Sequence, residues 1–293
     1  MLTEAQIKRC NQSLLAGLSE YLNHRPDAID ESVMAELLAD GGFTAEEIYP
    51  LLLAALLGLS VDSEPFHREI YNAYFPEMVR RLSAEDYRSD PYYRTVRLSP
   101  AKEGKWEFRT LSYRPYEAFV ADDFRWRPDG RLIPQIGYFQ KRFDYPCVLE
   151  GGREWMLITP NEINTMAPHV EAAFGRVLTY GLGLGYYAFM TARKEEVESV
   201  TVVERSADVI ALFEKYIRPQ LGGAGEKITV VQADAFDYAA TEMGKGGYNY
   251  VFTDLWHDPS DGVSLYHRMQ AMEHLSPGST FGYWIEDTLR WYE

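Results

Sequence analysis

The spacing of apolar residues changes twice along the chain and divides it into three parts. Over residues 1–95 the apolar residues recur every three or four positions, as in FHREIYNAYFPEMVRRL, which is typical of amphipathic helices. Two helix starts are also indicated, because Thr3 with Gln6 and Thr44 with Glu47 match the capping-box pattern. We therefore predict a helical N-terminal domain over residues 1–95.

A second pattern occupies residues 96–160, where apolar and charged residues alternate over short stretches such as WEFRTLSY and RLIPQIGYF. Turn signals separate these stretches: RPDG at 127–130 and two glycines at 151–152. Alternation bounded by such turns predicts short antiparallel strands joined as hairpins. We interpret residues 96–160 as a small antiparallel β-hairpin segment between two larger parts.

From residue 161 to residue 293 short apolar runs alternate with helix-like stretches. The runs RVLTYGLG, SVTVVER, KITVVQAD and YNYVFTDLW are typical of strands buried on both faces, and SADVIALFEKYI is typical of a crossover helix. Strand and helix in alternation predict an α/β fold, with a doubly wound, mostly parallel sheet of the Rossmann-like type. Ligands of such sheets bind beyond the carboxyl ends of the strands, so those ends are the places to search.

Composition narrows the classes of partner. The formal net charge of −15 argues against a nucleic-acid groove, which needs clustered Lys and Arg. Cys10 and Cys147 stand far apart and imply no disulfide framework. The longest apolar run, LLLAALLGL, is about half the length of a membrane span, and the first residues lack a signal-peptide plan. We therefore expect a cytoplasmic protein with neither a membrane nor a nucleic acid as partner.

Three glycines on alternate positions follow the first strand of the C-terminal part. Gly181, Gly183 and Gly185 predict a strand-to-helix turn at which a ligand approaches bare backbone. A nicotinamide dinucleotide would require a further glycine at position 186, which is Tyr186. The loop therefore favours a ligand without a pyrophosphate.

Acidic residues stand at the next two strand ends. Glu204 lies nineteen residues after Gly185, close to the spacing at which an acid reaches ribose hydroxyls in doubly wound folds. Asp234, with its neighbour Ala235, ends the following strand and is a candidate for contact with an adenine edge. Asp234 is equally compatible with a role as a cap of the next helix.

The fourth strand end carries Asp254, His257 and Asp258 within five residues. Asp254 is a candidate base or a carboxylate that supports the loop. His257 and Asp258 are a candidate general base with its orienting acid, or solvated loop residues. The sequence has no further His or Cys cluster at a spacing that would complete a metal site.

A glycine loop followed by acids at three successive strand ends resembles the class I, Rossmann-like superfamily of S-adenosylmethionine-dependent methyltransferases. The similarity covers Arg176 to Asp287. It implies S-adenosylmethionine as the cofactor and Asp254, His257 and Asp258 as the catalytic candidates. The cofactor contacts that it implies are Tyr180, Gly181, Gly183, Gly185, Glu204, Arg205, Asp234, Ala235 and Asp254.

Within that superfamily PCVLEGGREW and DLWHDP resemble the spermidine-synthase-like branch. The branch has an acidic pair in its connecting segment, which Thr159 and Pro160 replace here, so the resemblance favours methyl transfer over aminopropyl transfer. The acceptor is expected to be a small molecule or a protein, cationic or neutral. A non-catalytic module that binds the cofactor stays open, as does an NAD-dependent oxidoreductase, which Tyr186 disfavours. The chain continues only briefly after STFGYWIED, which suggests a short sheet edge and a possible homodimer.

Overall fold

A computed structural model describes residues 2–39 and 41–292. Its contacts divide the chain into two units, each formed by two separate stretches. Unit 1 comprises Met1–Glu85 and Ser112–Asp144, and unit 2 comprises Asp86–Leu111 and Tyr145–Glu293.

The order of helices and strands follows the sequence pattern except at Val79–Arg81, a strand that lies inside the predicted helical domain of residues 1–95. The α-helices are α1 (Glu4–His24), α2 (Glu31–Leu38), α3 (Ala45–Leu56), α4 (Pro65–Met78), α5 (Ala84–Arg88), α6 (Pro91–Thr95), α7 (Pro160–Ala172), α8 (Tyr186–Ala192), α9 (Ala207–Leu212), α10 (Gly223–Glu226), α11 (Ala235–Thr241), α12 (Pro259–Gln270) and α13 (Glu286–Trp291). The strands are β1 (Val79–Arg81), β2 (Lys102–Glu103), β3 (Trp106–Tyr113), β4 (Phe119–Trp126), β5 (Leu132–Tyr138), β6 (Phe143–Glu150), β7 (Arg153–Leu157), β8 (Gly175–Tyr180), β9 (Val197–Glu204), β10 (Ile228–Gln232), β11 (Tyr250–Thr253) and β12 (Thr280–Tyr283). Five residues of π-helix, Phe213–Ile217, continue α9.

Unit 1 packs α1 to α4 with a three-stranded sheet of order β1-β5-β4. The two predicted capping boxes are confirmed, Thr3 with Gln6 at the start of α1 and Thr44 with Glu47 at the start of α3. The core contains a buried polar side chain, Asn11, which bonds to backbone groups beside β5. A polar group in a core is tolerated when its hydrogen bonds are made in this way.

Unit 2 contains a five-stranded sheet of order β10-β9-β8-β11-β12 in which every neighbouring pair is parallel. Numbered within the sheet this is the order 3-2-1-4-5 of a doubly wound, Rossmann-like fold, and the predicted α/β class is confirmed. β11 is buried at all four positions, which explains why its sequence lacks period-two alternation. The order reverses between β8 and β11, and a crevice is expected where it does.

The middle segment forms the predicted hairpins but does not form a unit of its own. The turn at 127–130 joins β4 to β5, and the glycines at 151–152 join β6 to β7, in antiparallel pairs. The hairpin of β4 and β5 belongs to unit 1, because β5 also pairs in parallel with β1. Residues 145–157 belong to unit 2. The structure therefore divides the chain differently from the boundaries at 95 and 160.

Two further features concern the described residues alone. Across residues 2–39 and 41–292 there is no helix with the length and apolar character that crossing a bilayer requires. β12 is the outer strand of the parallel sheet, and α13 follows it.

Candidate functional site

A cavity of about 620 Å³ lies at the carboxyl edge of the parallel sheet, and its walls come entirely from unit 2. The residues that follow β8, β9, β10 and β11 all contribute to it, as do the hairpin of β6 and β7 and the first turn of α7. This volume lies within the range of about 300–1,000 Å³ that small-molecule sites occupy. The four strand ends that the sequence singled out therefore meet around one space.

All three loop glycines have a positive φ angle, between 55° and 99°. A Cβ on Gly181 would lie 2.1 Å from the carbonyl oxygen of Asp254, and one on Gly185 would lie 2.5 Å from the ring of Phe213. Gly181 and Gly183 line the cavity, whereas Gly185 does not. The need for glycine at 185 is therefore explained by packing inside the unit.

The backbone of this loop has both paired and unpaired N–H groups. The N–H of Leu182 donates to the carboxylate of Glu204 (3.2 Å), and the N–H of Gly185 donates back to the carbonyl of Leu182 (2.8 Å). In the described part of the chain the N–H groups of Gly183 and Leu184 have no hydrogen-bond partner. Both residues line the cavity, so the loop offers two free donors next to it.

Glu204 joins two turns of backbone at the end of β9. Beside its bond from Leu182, it accepts from the N–H of Ser206 at 2.7 Å. Glu204 and Arg205 line the cavity. Tyr180, by contrast, is a core residue that does not line it, with its ring 6.4 Å from that of Tyr238.

Asp234 caps α11, as the alternative interpretation of the sequence allowed. Its Oδ1 accepts from the N–H groups of Phe236 (2.9 Å) and Asp237 (3.2 Å). Asp234 is exposed and lines the cavity together with Ala235, so the cap leaves it accessible from the cavity.

Two half-buried carboxylates in the cavity wall have no hydrogen-bond or ion-pair partner among the described residues. Asp254 follows β11 and Glu162 lies in the first turn of α7, and both line the cavity. Within residues 2–39 and 41–292 neither carboxylate takes part in a hydrogen bond or an ion pair. Carboxylates with little access to water normally have a partner, so this pair is a candidate for contact with a ligand.

The surroundings of these two carboxylates favour their neutral forms. Burial, and secondly the negative charge of Glu204, raise the pKa of Asp254 to about 7. Burial, and secondly the charge of Asp254, hold the pKa of Glu162 well above its usual range. A carboxyl group with a pKa near neutrality can accept and release a proton under ordinary conditions.

The predicted pairing of His257 with Asp258 is not what the structure contains. The His257 ring lies 3.1 Å, Nδ1 to Oδ2, from Asp261, whereas the Asp258 side chain caps α12 by accepting from the N–H of Ser260 (2.7 Å). Asp258 precedes Pro259 and pairs with Asp261 in a capping box, which explains its position. His257 lines the cavity and Asp258 does not.

Aromatic rings cover much of the remaining wall. Four of the six tryptophans line the cavity: Trp106, Trp155, Trp256 and Trp284. Trp155 packs edge-on against His257, with ring centroids 3.7 Å apart, and the indole N–H of Trp284 donates to Thr165 on α7 at 2.9 Å. Aromatic faces beside carboxylates attract organic cations.

The charges around the cavity are mainly negative. Six carboxylates line it, those of Glu150, Glu154, Glu162, Glu204, Asp234 and Asp254, against the cations of Lys105 and Arg205. Lys105 is already paired with Glu150. No cluster of three or more potential metal ligands occurs among the described residues. The site therefore suits an organic cation.

Sequence reasoning missed Glu162, because it examined the strand ends and Glu162 lies on a helix. An acid in the first turn of a helix is common, since it interacts favourably with the helix dipole, so its residue type gave little signal. What distinguishes Glu162 is its position against the cavity, which only the fold reveals.

No protein-family model and no curated protein matches the chain. Among solved structures it is similar to spermidine synthase from Thermotoga maritima, at 17% identity and a TM-score of 0.32, over 43% of this chain and 48% of that one. It is also similar to precorrin 8W decarboxylase from Methanobacterium thermoautotrophicum, at 16% identity and a TM-score of 0.30, over 39% and 56%. A protein described as an O-methyltransferase from Klebsiella pneumoniae matches at 18% identity and a TM-score of 0.30, over 38% and 48%. The chain thus spans about half the length of these structures.

Proposed function

We propose that the protein is an S-adenosylmethionine-dependent methyltransferase whose acceptor carries an amine. One observation carries the proposal: a single cavity at the switch point of the sheet combines unpaired backbone donors with unpaired carboxylates. Free donors suit the carboxylate of an amino-acid moiety, and free carboxylates suit a cation.

The residues around the cavity fit the parts of this cofactor. The N–H groups of Gly183 and Leu184 would hold the methionine carboxylate, since both residues line the cavity and these groups are unpaired in the part of the chain that the structure describes. Glu204 stands at the strand end where doubly wound folds bind ribose hydroxyls, and Asp234 with Ala235 would lie along the adenine edge.

When bound, the sulfonium cofactor supplies a methyl carbon that is already reactive toward nucleophiles. The chain would hold the acceptor amine in line with that carbon, with Glu162 beside its positive charge. An alkylammonium ion must first lose a proton, and Asp254, whose pKa is about 7, would accept it. The amine nitrogen would take the methyl group in exchange for the bond to sulfur, and Asp254 would hold the proton that the amine released.

Calorimetric titration tests the ligand. We expect S-adenosylhomocysteine to bind and NADH not to bind, and Glu204→Gln to weaken the former about tenfold through loss of one charged acceptor. Asp234→Ser keeps a cap oxygen for α11 and removes the carboxylate, so it should weaken binding severalfold. The matched control is Asp30→Ser, which makes the same exchange at the cap of α2 in unit 1 and should leave the affinity unchanged. Failure of wild type to bind S-adenosylhomocysteine would refute the proposal.

Aminopropyl transfer is a second candidate, and Glu162 with Asp254 is the observation that favours it, because two carboxylates suit the ammonium groups of a polyamine. The loop donors of Gly183 and Leu184 favour the carboxylated cofactor instead. Turnover with an amine acceptor should therefore occur with S-adenosylmethionine and not with its decarboxylated form. The reverse preference would establish the second candidate, and binding without turnover across a broad acceptor panel would indicate a non-catalytic module.

A further inference from the structure

The stretch before the β-hairpins makes direct contact with the glycine loop inside unit 2. The hydroxyl of Tyr92 on α6 donates to the carbonyl of Leu184 at 2.6 Å. The hydroxyl of Tyr186, the first residue of α8, donates to Oδ2 of Asp90 at 3.0 Å. The bonded pairs are 92 and 96 residues apart in sequence, and neither Asp90 nor Tyr92 belongs to the parallel sheet.

Asp90 and Tyr92 are also hydrogen-bonded to each other. Oδ1 of Asp90 accepts from the backbone N–H of Tyr92 at 2.8 Å and so caps α6. The ring of Tyr92 is only 1% exposed and lies 5.6 Å, centroid to centroid, from that of Tyr186. Packing around the Tyr92 ring therefore fixes the direction of its hydroxyl, which as a buried group has little freedom to rotate.

The loop needs such support because of its composition. Three of the five loop residues are glycines, and all three have a positive φ angle. Because glycine loses more conformational entropy on ordering than any other residue, holding this loop in one conformation is costly. The peptide between Leu184 and Gly185 is held on both sides, since its carbonyl accepts from Tyr92 and its N–H donates to Leu182. Holding this peptide sets the direction of the neighbouring N–H groups of Gly183 and Leu184.

We propose that Asp90 and Tyr92 are positioning residues that keep the glycine loop ready to receive the carboxylate of the cofactor. This role rests on the proposed function for the identity of the ligand, but not for the hydrogen bonds themselves. It also accounts for Tyr186, which stands where a dinucleotide site has glycine: its hydroxyl fastens the start of α8 to Asp90.

The test compares Tyr92→Phe with Tyr49→Phe in the full chain. Tyr49 is a buried tyrosine of unit 1 whose hydroxyl donates to a backbone carbonyl, that of Tyr116, at 2.9 Å, so the two variants lose equivalent bonds. In Tyr92→Phe we expect amide hydrogen exchange at Leu182 and Gly185 to quicken about tenfold in the absence of ligand. The dissociation constant of S-adenosylhomocysteine and the KM for S-adenosylmethionine should rise about tenfold, with kcat within about twofold. Tyr49→Phe should change none of these.

A second variant covers the case in which Tyr92→Phe does not fold. Asp90→Ser keeps a cap oxygen for α6 and removes the acceptor for Tyr186, and it should quicken exchange at Gly185 as well. Exchange at the loop that is equal in Tyr92→Phe, Asp90→Ser and Tyr49→Phe would overturn the proposal. If wild type binds no S-adenosylhomocysteine, the proposed function fails, and the exchange comparison alone still decides the role of Asp90 and Tyr92.

Discussion

Asn11 of unit 1 and two acids of unit 2 differ in the hydrogen-bond partners that they have. In unit 1 the side chain of Asn11 is 3% exposed and both of its polar atoms have partners: it donates to Gly130, and it accepts from Tyr74 and from the backbone of Leu132. In unit 2 the half-buried carboxyl groups of Glu162 and Asp254 have no hydrogen-bond or ion-pair partner among the described residues.

This difference separates polar groups that build the fold from polar groups that face the cavity. An unmade hydrogen bond on a buried group costs about 1–3 kcal/mol, and an unpaired charge costs more. A wall that retains such groups beside a cavity is therefore less stable than the fold alone requires. The predictions below test this contrast between the units.

The largest effect is expected at Asp254. Asp254→Asn removes the group that would take the proton from the acceptor, so kcat should fall about 1,000-fold. S-adenosylhomocysteine affinity should stay within about threefold, since the amide keeps the shape of the side chain. Initial rates and calorimetry measure the two quantities. The control Asp237→Asn makes the same change at an exposed acid of unit 2 and should leave both unaltered; an active Asp254→Asn enzyme would exclude Asp254 as the base.

The next largest effect is expected in unit 1. Asn11→Ala removes three hydrogen bonds and leaves two buried partners, Tyr74 and Leu132, unsatisfied, so it should lower the free energy of unfolding by about 3 kcal/mol without altering ligand affinity. Denaturant titration measures the change. Asn23→Ala, at an exposed position of the same helix, should cost less than about 0.5 kcal/mol. If Asn11→Ala lowered the free energy of unfolding by less than about 1 kcal/mol, the hydrogen bonds of Asn11 would contribute little to the fold, and the contrast with Glu162 and Asp254 would not hold.

A smaller effect is expected at Glu162. Glu162→Gln removes the carboxyl group that would become charged beside a bound ammonium ion, so the KM for the amine should rise about tenfold while the affinity for S-adenosylhomocysteine changes little. Steady-state kinetics with varied amine measure it. Glu171→Gln makes the same change at an exposed position of α7 and should be neutral. An unchanged KM would place the amine elsewhere.

The smallest effect concerns stability and pH. Folded protein keeps the proton on Asp254 up to a pH of about 7, the pKa of this group, whereas unfolded chain releases it near its ordinary pKa of 3.8. Folded protein thus binds more protons in this window, and the contribution of Asp254 to stability falls as the pH rises from about 4 to 7. Asp254→Asn should therefore be more stable than wild type at pH 8, by about 1 kcal/mol, and show no gain at pH 4. Thermal melts at both values check this, and an equal difference at both would contradict it.

Much of the parallel sheet could be predicted because β8 to β11 are short, apolar and separated by helical periodicity. The turns at 127–130 and 151–152 could also be predicted from the sequence, because glycine and proline residues mark them. The assignment of residues 112–144 to unit 1 was not, because it depends on β5 pairing with the distant β1. No local signal reports a pairing between strands so far apart in sequence.

At the candidate site the sequence located the strand ends but not every side chain. Glu162 and Tyr92 lie on helices, and their importance comes from what they face in the fold. The position of Asp258 was available from the sequence, because an aspartate before Pro259 with Asp261 three residues on is a capping pattern. Tyr180 precedes the loop but points into the core, which strand alternation alone could have suggested.

The division of unit 2 into two stretches bears on how the chain reaches its final state. During synthesis Tyr92 leaves the ribosome 92 residues ahead of Leu184, with all of residues 112–144 emerging in between. The hydrogen bond from Tyr92 to Leu184 can therefore form only after β8, the first strand of the parallel sheet, has been synthesised. A shortened gene that starts at the Rossmann-like part would likewise encode the glycine loop but not Tyr92, whose hydroxyl bonds to it.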